Sequence, residues 1–231
     1  ENTMFGRATR EPFPGVPVYA YGSLYICTNL GGTVAVDLGA QNVSWVSQYK
    51  ALPRPYTRGF TCYYRKTTFA NGAPSLVKRS DGTLLLVVAP TDSNYLSAYD
   101  ALTGKLAWEV EIERPQTTVR DVTGEVPTIL FGVDEHYAYV ARQHQLLKVD
   151  LKQGKVTTAF IVTWQSGDGR EISNQASGRP ELCTEEILWP GVHGLVGIPR
   201  DAKRMATTRR APGLCGNVIT RQGILVCSRG V

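Results

Sequence analysis

Metal-binding and proton-transfer side chains are scarce in this chain: three histidines and five cysteines in 231 residues. Cys27, Cys62, Cys183, Cys215 and Cys227 form no Cys-x-x-Cys pair, which excludes zinc-ribbon and thioredoxin-like readings. Five is odd, so at least one thiol is unpaired, and Cys27 and Cys227 read as small buried hydrophobes. No apolar run approaches the roughly 18 residues that span a bilayer, and no charged-then-apolar segment opens the chain. No transmembrane segment is therefore expected, and the start "ENTMFGRATREPFPG" reads as a mature or truncated terminus. Glycine-rich phosphate loops are missing, since "SGDGRE" at 166–171 is only a turn with a charged flank. Neither Asp81-Gly82, Asp134-Glu135 nor Asp168-Gly169 carries the alternating oxygen ligands of a calcium loop. What the chain does have is 23 glycines, 13 prolines and 42% hydrophobic residues, the composition of a β-rich domain with many turns.

Turn chemistry carries the next step. In "LSAYDALTGKLAWEVEI", residues 96–112, an apolar run enters a tight turn and returns as a second strand. Asp100 can accept hydrogen bonds from amides ahead of it, Thr103 can do so more weakly, and Gly104 can take the positive φ that closes the loop. Trp108 follows on the returning strand with a large apolar area and one N–H to satisfy. The unit recurs. Asp37 and Trp45 repeat the spacing of Asp100 and Trp108, while Asp150, Gly154 and Lys155 repeat that of Asp100, Gly104 and Lys105. Thr158 holds the tryptophan position of the third copy unless Phe160 substitutes from a shifted register. Each copy is preceded by a segment that starts at a proline (Pro17, Pro74, Pro127, Pro212) and holds two short strands around a turn. Four strands in about 50 residues is the grain of a propeller blade. Asp37, Asp100 and Asp150 are expected to bond to amides within their turns. Trp45 and Trp108 are expected to lie buried between neighbouring blades with their N–H groups bonded.

The order proline-strand, turn, "x-L-x-V" strand, "AxD-xx-TGK-xxW" resembles the PQQ-like (quinoprotein alcohol dehydrogenase-like) β-propeller repeat. That resemblance implies an all-β propeller of four-stranded blades, WD40-like in architecture, with about three and a half repeats visible. They fall at 15–50, 70–112, 125–163 and 209–231, after an extension at 1–14 and around an irregular insertion at about 164–208. The last copy stops before its Asp hairpin. A partial seven- or eight-bladed ring and a small closed ring are both open; an incomplete record or completion by another chain is the favoured explanation, since an unpaired blade edge invites association.

Catalytic members of the family stack a quinone on a tryptophan, beneath a disulfide between adjacent cysteines and beside a calcium. No residue of that set transfers onto this sequence, so no cofactor and no catalytic residue are assigned. The expectation is a non-catalytic scaffold that mediates assembly with other protein subunits, as in outer-membrane assembly lipoproteins and lumenal sensor domains that keep the repeat without the cofactor. Those relatives point to a periplasmic, secretory or organellar lumen. The alternative is a fragment of a PQQ-dependent dehydrogenase whose PQQ and calcium bind in other blades. A remoter enzyme reading starts from "APGLCGN", which resembles the Gly-x-Cys-Gly turn of chymotrypsin-like cysteine proteases, with Cys215 as nucleophile and His136 or His144 as base. However, the repeat already accounts for Pro212, and a turn for His136. A basic cluster at 199–210 offers Lys203, Arg204, Arg209 and Arg210 to an acidic protein surface or RNA. It has no interleaved aromatics for base stacking, so DNA is not expected. A partner would touch this insertion and the open edge at the chain end.

Overall fold

The computed structural model describes residues 16–28, 30–51, 56–58, 61–63, 73–112, 128–142, 144–174, 176–201, 208–212, 215–221 and 224–229. Side chains are described within these ranges up to residue 201, except at 56–63, 158 and 159. The 1–14 extension, Pro127 and the side chains of Cys62, Cys215 and Cys227 lie outside the described residues. All described regular structure is β, and none of it forms a helix able to cross a membrane. The chain divides between residues 118 and 119 into two compact units.

The first unit holds two four-stranded antiparallel sheets. Strands β1 (Val18–Ala20), β2 (Ser23–Cys27), β3 (Gly32–Asp37) and β4 (Asn42–Gln48) pair in chain order as blade 1. A hairpin of β5 (Tyr56–Arg58) and β6 (Thr61–Tyr63) follows, and then β7 (Ser75–Lys78), β8 (Leu84–Val88), β9 (Tyr95–Asp100) and β10 (Leu106–Glu111) form blade 2. Central strands such as β8, "LLLVV", are near-continuously apolar because both of their faces are buried. One core cluster joins the blades, with Tyr25, Cys27 and Ala35 of blade 1 against Leu86, Val88 and Tyr99 of blade 2.

The second unit repeats the pattern with β11 (Ile129–Val133), β12 (Tyr137–Arg142), β13 (Gln145–Asp150) and β14 (Lys155–Ile161) as blade 3. Next comes a hairpin of β15 (Thr163–Gln165) and β16 (Glu171–Ser173), and then a further four-stranded sheet, blade 4. It consists of β17 (Glu181–Leu182), β18 (Glu186–Pro190), β19 (Gly194–Pro199) and β20 (Thr208–Pro212); a last hairpin pairs β21 (Cys215–Arg221) with β22 (Ile224–Arg229).

Blade 4 corrects the expectation of an irregular insertion at 164–208. Residues 163–212 hold the six strands β15 to β20, and Pro212 closes an outer strand instead of opening a new copy. The repeat grammar hid this sheet because Pro199 stands where the other blades carry Asp37, Asp100 and Asp150. The equivalence is fixed by one bond. The amides of Leu38, Ala101, Leu151 and Arg200, each one residue later, donate to Gly22, Leu84, His136 and Glu185 at 3.0, 2.9, 2.8 and 3.0 Å. A β-bulge also recurs between the third and fourth strands of blades 1 to 3, placing Trp45 opposite Ala35, Trp108 opposite Ala98 and Thr158 opposite Lys148. Bulges re-aim side chains, and in blade 1 the bulge accompanies the reach of Trp45 to blade 2.

Candidate interaction surface

The three aspartate turns are closed by side-chain acceptance of backbone amides. Asp37 Oδ1 accepts from Ala40 at 2.9 Å; Asp100 Oδ1 accepts from Leu102 and Thr103 at 3.1 and 2.8 Å; Asp150 Oδ1 accepts from Lys152 and Gln153 at 2.8 and 2.7 Å. Gly104 and Gly154 take φ of 73° and 63°, and Gln41 holds the same place in blade 1 at φ 54°. These residues shape turns.

Trp45 joins blade 1 to blade 2. Its ring lies between Tyr25 and Tyr99, with centroids 6.2 and 6.4 Å away, and its Nε1 donates to the Ala101 carbonyl at 3.0 Å. Ser47 donates to the Gly104 carbonyl beneath it. Trp45 is only half-buried, which corrects its expected burial. Trp108, at the same register position of blade 2, is buried. A second tie sits at the other end of the joint: Tyr49 donates to Asp92 at 2.7 Å, and the Gly31 amide donates to the other carboxylate oxygen at 3.0 Å. Burial, first, and the carboxylate hold the Tyr49 hydroxyl well above its usual range.

Blades 3 and 4 share an apolar cluster, with Tyr139 and Leu146 against Ile187 and Trp189, and their polar tie is charged. Asp134 accepts from Tyr139 Oη at 2.7 Å, from the amides of His136 and Tyr137 at 2.8 and 2.7 Å, and from Arg200. Arg200 also donates to the carbonyls of Thr184 at 2.8 Å and Cys183 at 3.2 Å. Burial pushes the Asp134 carboxyl up, but the donors around it outweigh that and hold it below the ordinary aspartate value. Burial, reinforced by the carboxylate, pushes the Tyr139 hydroxyl up to about 12. Asn174, fully buried, pins the turn of blade 4: its Nδ2 donates to Gly194 at 3.0 Å, its Oδ1 accepts from the His193 amide at 3.1 Å, and its carbonyl accepts from Trp189 Nε1 at 3.0 Å. His193 is exposed, as is His136, whose Nε2 meets Glu135 at 3.3 Å. Among the described residues, no three histidine, cysteine or acidic side chains converge as metal ligands.

Among the described residues, the far face of blade 1 exposes a contiguous run of apolar side chains. Two cross-strand rows of apolar residues cover it: Tyr19, Leu24, Val36 and Val43 in one, Ile26, Val34 and Val46 in the other. Tyr19, Val43 and Val46 are 65%, 57% and 63% exposed. The inner-strand positions of blade 2 that match Leu24, Ile26 and Val36, namely Leu86, Val88 and Tyr99, are fully buried against blade 1, whereas Leu106, the outer-strand match of Val43, is 47% exposed. Leu38 is 47% exposed, whereas its equivalents Ala101 and Leu151 are each 1% exposed. Sequence alternation marks these residues as a face, but carries no sign that nothing packs on it. Of the predicted partner-binding residues, Lys203, Arg204, Arg209 and Arg210 have side chains outside the described residues, as has Cys215.

No family model matches this chain, and no curated protein matches it. Solved structures do, and they show the fold. BamB from Moraxella catarrhalis is 16% identical with a TM-score of 0.52, over 88% of this chain and 54% of its own. The β-propeller domain of Myceliophteria thermophila Cps50 (Swd1) is 14% identical with a TM-score of 0.55, over 96% and 64%. The dihydro-heme d1 dehydrogenase NirN, in complex with DHE, is 18% identical with a TM-score of 0.50, over 92% and 41%. The chain is an all-β protein with the four-stranded sheets of a β-propeller, and it spans between 41% and 64% of the length of these three propellers.

Proposed function

We propose that this chain is a non-catalytic propeller scaffold that works as a subunit of a protein assembly. The observation that supports it is the apolar far face of blade 1, four strands wide, whose inner-strand residues Leu24, Ile26 and Val36 are part-exposed where blade 2 buries Leu86, Val88 and Tyr99 completely. Soluble proteins rarely leave contiguous apolar surface of several hundred Å² uncovered, and such patches mark interaction sites. The occupant that fits is another protein's β-sheet face, apolar and supplying a side-chain N–H for the Leu38 carbonyl, as Trp45 supplies one for Ala101. The PQQ-like resemblance of the repeat supports the same reading, since cofactor-free members of that family serve in assembly.

The test is the mass of the protein isolated from its source, native and denatured, with an absorbance scan for quinone. The expected result is that the chain is found natively in a heavier, quinone-free assembly, from which Val43→Asp with Val46→Asp releases it in folded form. A native mass equal to the chain mass would overturn the reading. So would a denatured mass well above 25.3 kDa, which would give the face to further blades of the same polypeptide; quinone absorbance would then favour the dehydrogenase.

A further inference from the structure

Lys148 occupies an unusual place for a lysine. It stands on β13, a central strand, and only 6% of it is exposed. Its ammonium lies 5.8 to 6.0 Å from the ring centroids of Tyr137, Tyr139 and Phe160 and donates to the Arg200 carbonyl. Buried lysines are costly unless their charge is met, so the position needs a reason.

The repeat supplies one. Arg200 is the blade 4 equivalent of Ala101, because both amides close the same turn by donating to the start of the second strand. In blade 2 the Ala101 carbonyl is capped by Trp45, an outer-strand residue of blade 1 that pairs with Ala35. In blade 3 the residue at the tryptophan register is Thr158, and it pairs with Lys148. The large and small members of the pair have changed strands. Ala35 leaves room for Trp45 to swing over it to the neighbouring blade; Lys148 instead sends a long side chain from the inner strand to the same carbonyl. We infer that Lys148 replaces the tryptophan of the repeat as the anchor between blades 3 and 4, compensating for Thr158.

The aromatic rings around the ammonium fit this role, since cation–π contact offsets part of its lost hydration. Arg200 is fixed from its other side by Asp134, Thr184 and Cys183, so the carbonyl that Lys148 reaches is held in place.

The experiment is a strand-swap series read by urea unfolding of the full chain. Lys148→Met keeps the apolar stem but removes the donor, and is expected to raise the unfolding equilibrium constant on the order of tenfold, because it leaves a part-buried carbonyl unmet. Lys148→Ala is expected to cost more. Combined with Thr158→Trp it recreates the Ala35–Trp45 pair, and the double variant is expected to regain most of the loss, with the introduced indole N–H protected from hydrogen exchange. Thr158→Trp alone, with the lysine in place, is expected to give no gain. Wild-type stability in Lys148→Met, or a double variant no more stable than Lys148→Ala, would overturn the assignment. Should Lys148→Ala fail to fold, recovery of folding by the double variant supports the swap and its continued failure sinks it.

Discussion

At Gly104 an added methyl meets two obstacles. The φ of 73° lies in the left-handed region, which costs an L-residue about 1–2 kcal/mol. In addition, the new Cβ would stand 2.6 and 2.7 Å from ring atoms of Trp45 and 2.8 Å from Ser47 Oγ, so the blade 1–2 joint must shift, at about 1–3 kcal/mol more. Gly154, with φ 63° at the equivalent place, carries the conformational cost. Gly104→Ala is therefore expected to lower unfolding free energy by at least about 1 kcal/mol more than Gly154→Ala, measured by urea titration; equal losses would mean that Trp45 yields freely. Gln41 holds this position without glycine's freedom, at φ 54°. Gln41→Gly removes about 1–2 kcal/mol of strain against about 0.5–1 of added chain entropy, so a net gain of about 0.5–1 kcal/mol is expected in the same titration. The aspartate, glycine and tryptophan spacings of these turns were legible in the sequence because turn chemistry is local. That Trp45 would cap Ala101, 56 residues on, was not, since no local pattern names a long-range acceptor.

Among elements, the joints between blades differ in how they answer to pH. Asp134 ionises more readily in the fold than in the unfolded chain, so the unfolded state binds more protons across that window. Its contribution is complete above the ordinary aspartate value of 3.8 and is lost as pH falls through the lower folded value. Tyr139 works in the opposite direction. Its hydroxyl titrates near 12 in the fold against 10.0 ordinarily, so its contribution is complete below pH 10 and fades as pH rises towards 12. Lys148, lowered chiefly by burial, has the reverse slope, stability rising with pH until 10.5. Unfolding free energy measured against pH is expected to lose less between pH 10 and 12 in Tyr139→Phe than in the wild-type protein, and less below pH 4 in Asp134→Asn. Parallel profiles would detach these groups from the joint. Little of this was visible beforehand. Asp134 read as a turn residue, and Arg200, its partner, fell within the stretch taken for an insertion, because Pro199 breaks the aspartate grammar and continuous apolar runs such as "LVGI" have no period to announce a sheet.

For the whole molecule, two surfaces compete for the proposed partner: the apolar face of blade 1 and the basic cluster around Lys203, Arg204, Arg209 and Arg210. The formal net charge of +5 and a pI near 9.0 make the second plausible on electrostatic grounds alone, since a basic protein steers towards acidic partners. Salt separates the two. Attraction between exposed charges falls within a Debye length of about 10 Å at 0.1 M ionic strength and about 3 Å at 1 M, so an assembly held by the arginines should weaken steadily as salt is added. Burial of Tyr19, Val43 and Val46 responds in the other direction, because sulfate is excluded from apolar surface and strengthens its removal from water. We expect the assembly to persist, or tighten, when sodium sulfate is raised to about 0.5 M, measured as the dissociation constant by light scattering. Progressive dissociation would move the docking surface from blade 1 to the basic cluster while leaving the scaffold reading intact.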